Sequence, residues 1–235
     1  MVFGKQKIAT LVAEFLGTGA LTLLILSVQR STIGVPFFVA AAAGLSIALM
    51  IMAVGKTSGG YFNPALTIGF WTARKIETVT AVLYILVQFA GAFAAGALYA
   101  YFVKNKLQDV GGKFDWHILI AEATGTAIFA FGVASAVYQK LAQAALASFA
   151  GLALMIGSIA ASSAAIGLLN PAVALGIKAW VLGTYVLGPI IGAVVGVQLY
   201  ALLFAEPATA AASSSVAQAS TGKKPVAKKK TSKKK

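Results

Sequence analysis

The chain has 235 residues, of which 59% are hydrophobic and only 11% are charged, whereas roughly one quarter of the residues of a soluble domain are charged. This composition excludes an ordinary soluble protein and indicates a membrane protein. The absence of cysteine excludes disulfides, thiolate metal sites and cysteine catalysis. Six scattered carboxylates and a lone histidine offer no cluster for metal binding or acid-base chemistry. We therefore expect no enzyme activity, no catalytic residue, no metal and no cofactor.

Six apolar stretches are long enough to cross a hydrocarbon core of about 30 Å as helices. The alternation typical of membrane strands is absent, so the expected fold class is an all-α membrane protein rather than a barrel. The first stretch carries Glu14 and is too long for a signal-peptide core, so we interpret it as the first span. The predicted spans are approximately 8–28, 35–54, 79–103, 118–138, 142–161 and 182–205.

Two motifs occur twice in the chain. The pattern AE..GT at residues 13–18 recurs at residues 121–126, and the tripeptide NPA at residues 63–65 recurs at residues 170–172. The nearly equal offsets indicate a duplication. Because each copy contains three spans, the second copy enters the membrane from the opposite side, and the halves are predicted to be inverted repeats. The predicted organisation is a first repeat 1–103, a linker 104–116, a second repeat 117–205 and a tail 206–235.

Each NPA tripeptide is expected to begin a short helix, because asparagine is a preferred N-cap and proline suits the first helical position. The predicted half-helices, 64–72 and 171–180, are too short to span. Entering from opposite faces, they would meet N-terminus to N-terminus near the midplane. We expect the asparagine oxygens to cap the helices while the amide NH₂ groups face a pore. The expected pore centre comprises Asn63, Pro64, Ala65, Asn170, Pro171 and Ala172.

The irregular segments before the half-helices predict a series of backbone carbonyl acceptors along the pore. Together with two amide donors and two positive helix ends, such a pore favours small uncharged solutes and disfavours cations. The expected carbonyls are those of Gly59, Gly60, Tyr61, Ala165, Ile166 and Gly167.

These features resemble the aquaporins, the major intrinsic protein family of water and glycerol channels. The resemblance rests on SGGYFNPALTIG at 58–69, on the second NPA and on the two AE..GT openings, and it covers about 8–204. It implies six spans with two half-helices, a pore in each protomer and a homotetramer. It also implies that Glu14 and Glu122 brace the pore loops by accepting backbone N–H bonds, although an acid within a span could instead relay protons.

The selectivity filter that the resemblance implies departs from the family pattern. The family usually continues its second NPA with arginine, but this chain has Val173, and counting from the NPA boxes places Ala43, Ser158 and Gly167 at the other filter positions. These residues are small and uncharged, so we expect a wide filter that passes water and glycerol- or urea-sized solutes. A leaky cation pore and a structural protein with a closed pore are the alternatives. Tyr61, where the family commonly has histidine, could reach into the pore or pack against a helix.

An even number of spans places both termini on one side, and the positive-inside tendency assigns them to the cytoplasm in a plasma-membrane protein. Arg30, Lys178 and the segment 104–115 then lie outside, a weak violation of that tendency. From Glu206 the chain is rich in Ala, Ser and Thr and ends with eight lysines, which predicts a disordered tail. The expected partners are the lipid bilayer and, for the tail, anionic headgroups. No nucleic-acid partner is expected, because the tail supplies most of the +13 charge.

Overall fold

The computed structural model describes residues 4–31 and 34–205, so the predicted tail 206–235 lies outside the described residues. Six helices are long and apolar enough to cross a membrane, and every described secondary-structure element is helical. The six-span and all-α predictions are therefore confirmed. The helices are α1 (Lys5–Gln29), α2 (Pro36–Ser58), α3 (Pro64–Thr72), α4 (Thr78–Phe102), α5 (Trp116–Tyr138), α6 (Gln143–Ala161), α7 (Pro171–Gly176) and α8 (Gly188–Leu203), the last preceded directly by a π-helical turn, Gly183–Leu187.

Local chemistry explains where several helices begin. Pro36, Pro64 and Pro171 each occupy the first position of a helix, where the missing N–H leaves no intrahelical bond unmade. Helix α5 instead begins after Asp115, whose Oδ1 accepts the His117 N–H at 2.7 Å. This bond keeps the pKa of Asp115 below its ordinary value. The His117 side chain is 89% exposed, so it lies at the surface at the start of the span.

The second half-helix is shorter than the predicted 171–180. Helix α7 ends at Gly176, and Lys178 has a left-handed φ of 69°. The Ala179 N–H donates to the Ala174 carbonyl at 2.8 Å, a bond that closes the helix end. The Lys178 carbonyl accepts a bond of 3.1 Å from the linker between α4 and α5. The chain leaves the helix at Lys178, whose carbonyl pairs with Val110 of the linker.

Each half packs its first span against its other two spans. Helix α1 contacts α2 and α4, and α5 contacts α6 and α8. The halves join where α2 packs on α6 and where each half-helix reaches the third span of the other half: α3 contacts α8, and α7 contacts α4. Both halves therefore fix the position of each half-helix.

A row of glycines on α8 faces the interior of the protomer. Gly188, Gly192 and Gly196 recur at four-residue spacing. A Cβ atom added at Gly192 or Gly196 would collide with the carbonyl oxygens of Ala123 and Ala127 in α5. Small residues at this spacing let membrane helices approach closely, so this row holds α8 against α5.

Candidate pore centre

The two half-helices begin at the two asparagines. The Asn63 Oδ1 accepts the Ala65 N–H at 2.8 Å. The Asn170 Oδ1 accepts the N–H groups of Ala172 at 3.0 Å and Val173 at 3.3 Å. Each side chain thus satisfies backbone donors that a helix N-terminus leaves without intrahelical acceptors.

The same asparagines tie the two loops to each other. The Asn63 Nδ2 donates to the Leu169 carbonyl at 2.8 Å, and the Asn170 Nδ2 donates to the Phe62 carbonyl at 2.9 Å. Both asparagines are only 1% exposed. The sequence predicted that both amide NH₂ groups face a pore. In the structure, one N–H of each group donates to the loop of the other half, and its second N–H is left as a donor. The reciprocal bonds bring the two half-helix N-termini together.

The residues before the asparagines adopt backbone conformations that sequence reasoning missed. Phe62 and Leu169 have φ values of 48° and 53°, in the left-handed region that bulky residues rarely occupy. Both are fully buried, and their carbonyls receive the two crossing bonds. The signal in the sequence was a large apolar residue directly before each NPA.

Glu14 lies on α1 and binds the first loop. Its Oε1 accepts the Ser58 hydroxyl at 2.6 Å and the Tyr61 N–H at 3.1 Å. Its Oε2 accepts the Phe62 N–H at 2.6 Å and the Gln88 amide at 2.8 Å. Four donors thus surround a fully buried carboxyl group, two on each oxygen.

Glu122 occupies the matching place on α5 and binds the second loop. Its Oε1 accepts the N–H groups of Gly167 at 2.8 Å and Leu168 at 3.0 Å, and its Oε2 accepts the Leu169 N–H at 2.8 Å. Glu122 is also fully buried. Backbone bonds to both carboxylates are the pattern that a bracing role requires.

Comparison with known proteins identifies the family. The model of the family described as major intrinsic protein matches residues 4–200. The chain belongs to this family. It is 32% identical to Aquaporin Z of Photorhabdus laumondii over 225 residues, which cover 83% of this chain and 97% of that protein. It is 30% identical to Aquaporin AqpM of Methanothermobacter marburgensis over 241 residues, covering 86% of this chain and 96% of that protein.

A solved structure has the same fold. The X-ray structure of the aquaglyceroporin from Plasmodium falciparum superimposes with a TM-score of 0.67 and covers 83% of this chain and 96% of that chain. The sequences are 21% identical in this alignment, so the match concerns the fold alone. It agrees with the six spans and two half-helices described above.

The four predicted filter positions are all buried. The Ser158 hydroxyl donates to the Gly167 carbonyl at 2.6 Å, which brings these two positions together. Ala43 is 3% exposed and Val173 is fully buried, and both belong to the apolar core. The Ser158 hydroxyl hydrogen is therefore engaged, and the other three positions have no polar side-chain group.

Most of the carbonyls expected to line the pore accept no hydrogen bond from the described residues. Among the described residues, no hydrogen bond is accepted by the carbonyls of Gly59, Gly60, Tyr61, Ala165 or Ile166. The Gly167 carbonyl differs, because it accepts the Ser158 bond. Five of the six predicted acceptors therefore keep their capacity to bind a solute.

The Tyr61 ring packs against neighbouring helices. Its centroid lies 5.6 Å from that of Phe70 on α3, edge-on, and 6.1 Å from that of Tyr84 on α4. Tyr61 is half-buried. These ring contacts are the packing that one of the two alternatives predicted.

A polar network surrounds the first loop, and sequence reasoning missed it. The fully buried Gln88 on α4 donates to Glu14 and also to the Thr67 hydroxyl of α3, at 3.0 Å. The Tyr84 hydroxyl donates to the Ser58 carbonyl at 2.8 Å. A glutamine within an apolar span was the available signal, because a buried polar side chain needs partners.

Proposed function

We propose that the protein is a passive transmembrane channel for water and small neutral solutes. The observation that carries this proposal is the reciprocal pair of bonds from Asn63 and Asn170, which holds two half-helix N-termini together at one buried point. Membership of the major intrinsic protein family supports it, as do the relatives whose names are Aquaporin Z and AqpM. No chemical step is part of this function.

The proposed mechanism follows from the hydrogen bonds that remain unmade. Each asparagine keeps one N–H donor, and free carbonyls of the two loops offer acceptors on either side. A water molecule passing the asparagines would direct its oxygen to both donors, so it could not relay a proton through the centre. The positive ends of the half-helix dipoles would oppose cations at the same point.

We further propose that glycerol- or urea-sized solutes pass with water. The support is the size of the filter side chains, since alanine, serine, glycine and valine are each several ångströms shorter than arginine. A mostly apolar, uncharged filter also suits neutral solutes that combine a carbon skeleton with hydroxyl or amide groups.

A swelling assay on proteoliposomes tests the proposal. We expect water, glycerol and urea to enter faster than in protein-free liposomes. Rapid water flux with rejection of glycerol and urea would contradict the wide filter but not the channel. Flux equal to that of empty liposomes for all solutes would contradict the channel and would favour a structural protein with a closed pore.

The cation-conducting alternative rests on the missing filter arginine. Against it, the oxygens of Glu14 and Glu122 are all engaged by donors and are not available to attract cations. Planar-bilayer recording separates the two functions: sustained ionic current would favour the cation pore, and silence together with solute flux would favour the neutral-solute channel.

For the assembly and placement in the cell, we propose a homotetramer with one pore in each protomer, in the plasma membrane with both termini in the cytoplasm. The lysine-rich tail would contact anionic headgroups, with about 1 kcal/mol per lysine near the surface. Deletion of residues 206–235 should leave solute flux unchanged. Loss of flux despite normal insertion would mean that the tail regulates the pore.

A further inference from the structure

A cavity of about 560 Å³ lies where α1 and α4 end, against the linker between α4 and α5. This end of the protein is opposite the N-terminal end of α1. The polar residues of its lining are Arg30, Tyr99, Asn105, Lys106, Gln108 and Asp109. None of them belongs to the proposed pore centre or filter.

Arg30 lies in this cavity without a counter-ion among the residues that the structure describes. Its Nη2 donates to the Gln108 carbonyl at 3.1 Å, and its buried Nε has no hydrogen-bond partner within the same described residues. Within the described part of the chain, the one carboxylate ion pair joins Asp115 and His117. A half-buried guanidinium without a negative partner is costly, so an anion in the cavity would stabilise it.

The other charges of the cavity add to this positive balance. Lys106 also lines it and forms no ion pair with a described carboxylate. The Asp109 carboxylate is directed in part to its own loop, because its Oδ1 accepts the Gly111 N–H at 2.8 Å. Two cations thus face one carboxylate that already has a partner.

A second cavity, of about 270 Å³, adjoins the first. It shares the lining residue Lys106 and extends to Lys178 and Trp180. Arg30, Lys106 and Lys178 belong to the set of positive charges that weakly violate the positive-inside tendency. These three positive side chains therefore line two adjoining cavities on the same side of the protein.

We infer that the larger cavity binds a ligand that carries an oxyanion group, either phosphate or carboxylate. The Arg30 guanidinium and the Lys106 ammonium bind the anion, since charge-assisted bonds to oxyanions are the strong ones. The Asn105 amide and Tyr99 hydroxyl supply further donors. The cavity is larger than a phosphate ion, so the ligand carries an attached body, and its source is either a soluble molecule or a lipid headgroup.

The test uses the full chain purified in a neutral detergent. Inorganic phosphate is titrated calorimetrically into wild type, Arg30→Gln, Lys106→Gln and the matched control Lys113→Gln, an exposed linker lysine outside the lining. Retention of added phosphatidylglycerol, against phosphatidylcholine, is measured in parallel by native mass spectrometry. Lys106 is exposed, so its variant tests the site even where Arg30→Gln fails to fold.

We expect wild type and Lys113→Gln to bind equally and the two cavity variants to bind on the order of tenfold more weakly, as for loss of a charge-assisted bond. Saturable phosphate binding identifies a soluble ligand as the source. Phosphatidylglycerol retention without phosphate binding identifies a lipid headgroup. The inference is overturned if wild type binds neither probe. It is also overturned if all four proteins bind the probes equally. Anion binding at this cavity is independent of solute flux through the pore. A negative result in this test therefore leaves the channel proposal unchanged.

Discussion

The two halves of the protein hold their pore loops with the same residue but with different donors. Glu14 receives two of its four bonds from the Ser58 and Gln88 side chains. Glu122 receives all three of its bonds from backbone N–H groups. Side-chain donors can move or find other partners, whereas backbone donors are held by the loop itself. The three N–H groups of the second loop therefore share one carboxylate as their acceptor, whereas the carboxylate of the first half belongs to a side-chain network.

The largest expected effect is that of Glu122→Ala. It leaves three buried N–H groups without an acceptor, at about 1–3 kcal/mol each. Glu14→Ala should destabilise less, because it leaves two N–H groups, and Ser58 and Gln88 can rearrange. Thermal unfolding of both variants in one detergent checks this order. A lower transition temperature for Glu14→Ala than for Glu122→Ala would break the comparison.

The asparagine cap of the second half also holds more backbone donors than that of the first half. Asn170 accepts two N–H bonds and Asn63 accepts one, and loss of an N-cap costs about 0.5–2 kcal/mol. We expect Asn170→Ala to lower stability more than Asn63→Ala, and both to reduce water flux. The matched Asp variants keep the capping oxygen but lose the crossing donor. Equal stability losses in the Asp and Ala variants would contradict the capping explanation.

Gln88→Leu tests the network of the first half. It removes the bonds to Glu14 and Thr67 and should cost about 1–3 kcal/mol, less than loss of the carboxylate. Because Gln88 acts through Glu14, its effect should shrink in the Glu14→Ala background. Gln198→Leu, which removes one bond to Thr72, serves as the control with little expected change. Full additivity of Gln88→Leu with Glu14→Ala would exclude the network.

The last comparison concerns selectivity rather than stability, and Val173→Arg tests it. A longer, charged side chain at this filter position should reduce glycerol flux more than water flux in the swelling assay. Val173→Leu keeps the position apolar and should leave the ratio of the two fluxes near that of wild type. If both fluxes fell in proportion in Val173→Arg, Val173 would not be a filter residue.

Local rules account for what could be predicted. Long apolar stretches identify spans because the bilayer requires them, and Asn-Pro predicts a helix start because capping and a proline φ are local properties. The same rules predicted both half-helix starts. They failed at the end of α7, since Lys178 turns out of the helix to pair with the linker, a partner that is distant in sequence.

The chain alone therefore determined the six spans, the duplication, the two helix starts and the chemical types present at the predicted filter positions. Tertiary structure alone decided that Asn63 bonds Leu169, that Asn170 bonds Phe62, and that Gln88 supports Glu14. Capping and hydrophobic length act between neighbours along the chain. The crossing bonds join residues more than one hundred positions apart, and they exist only because packing of α3 on α8 and α7 on α4 brings the two loops together.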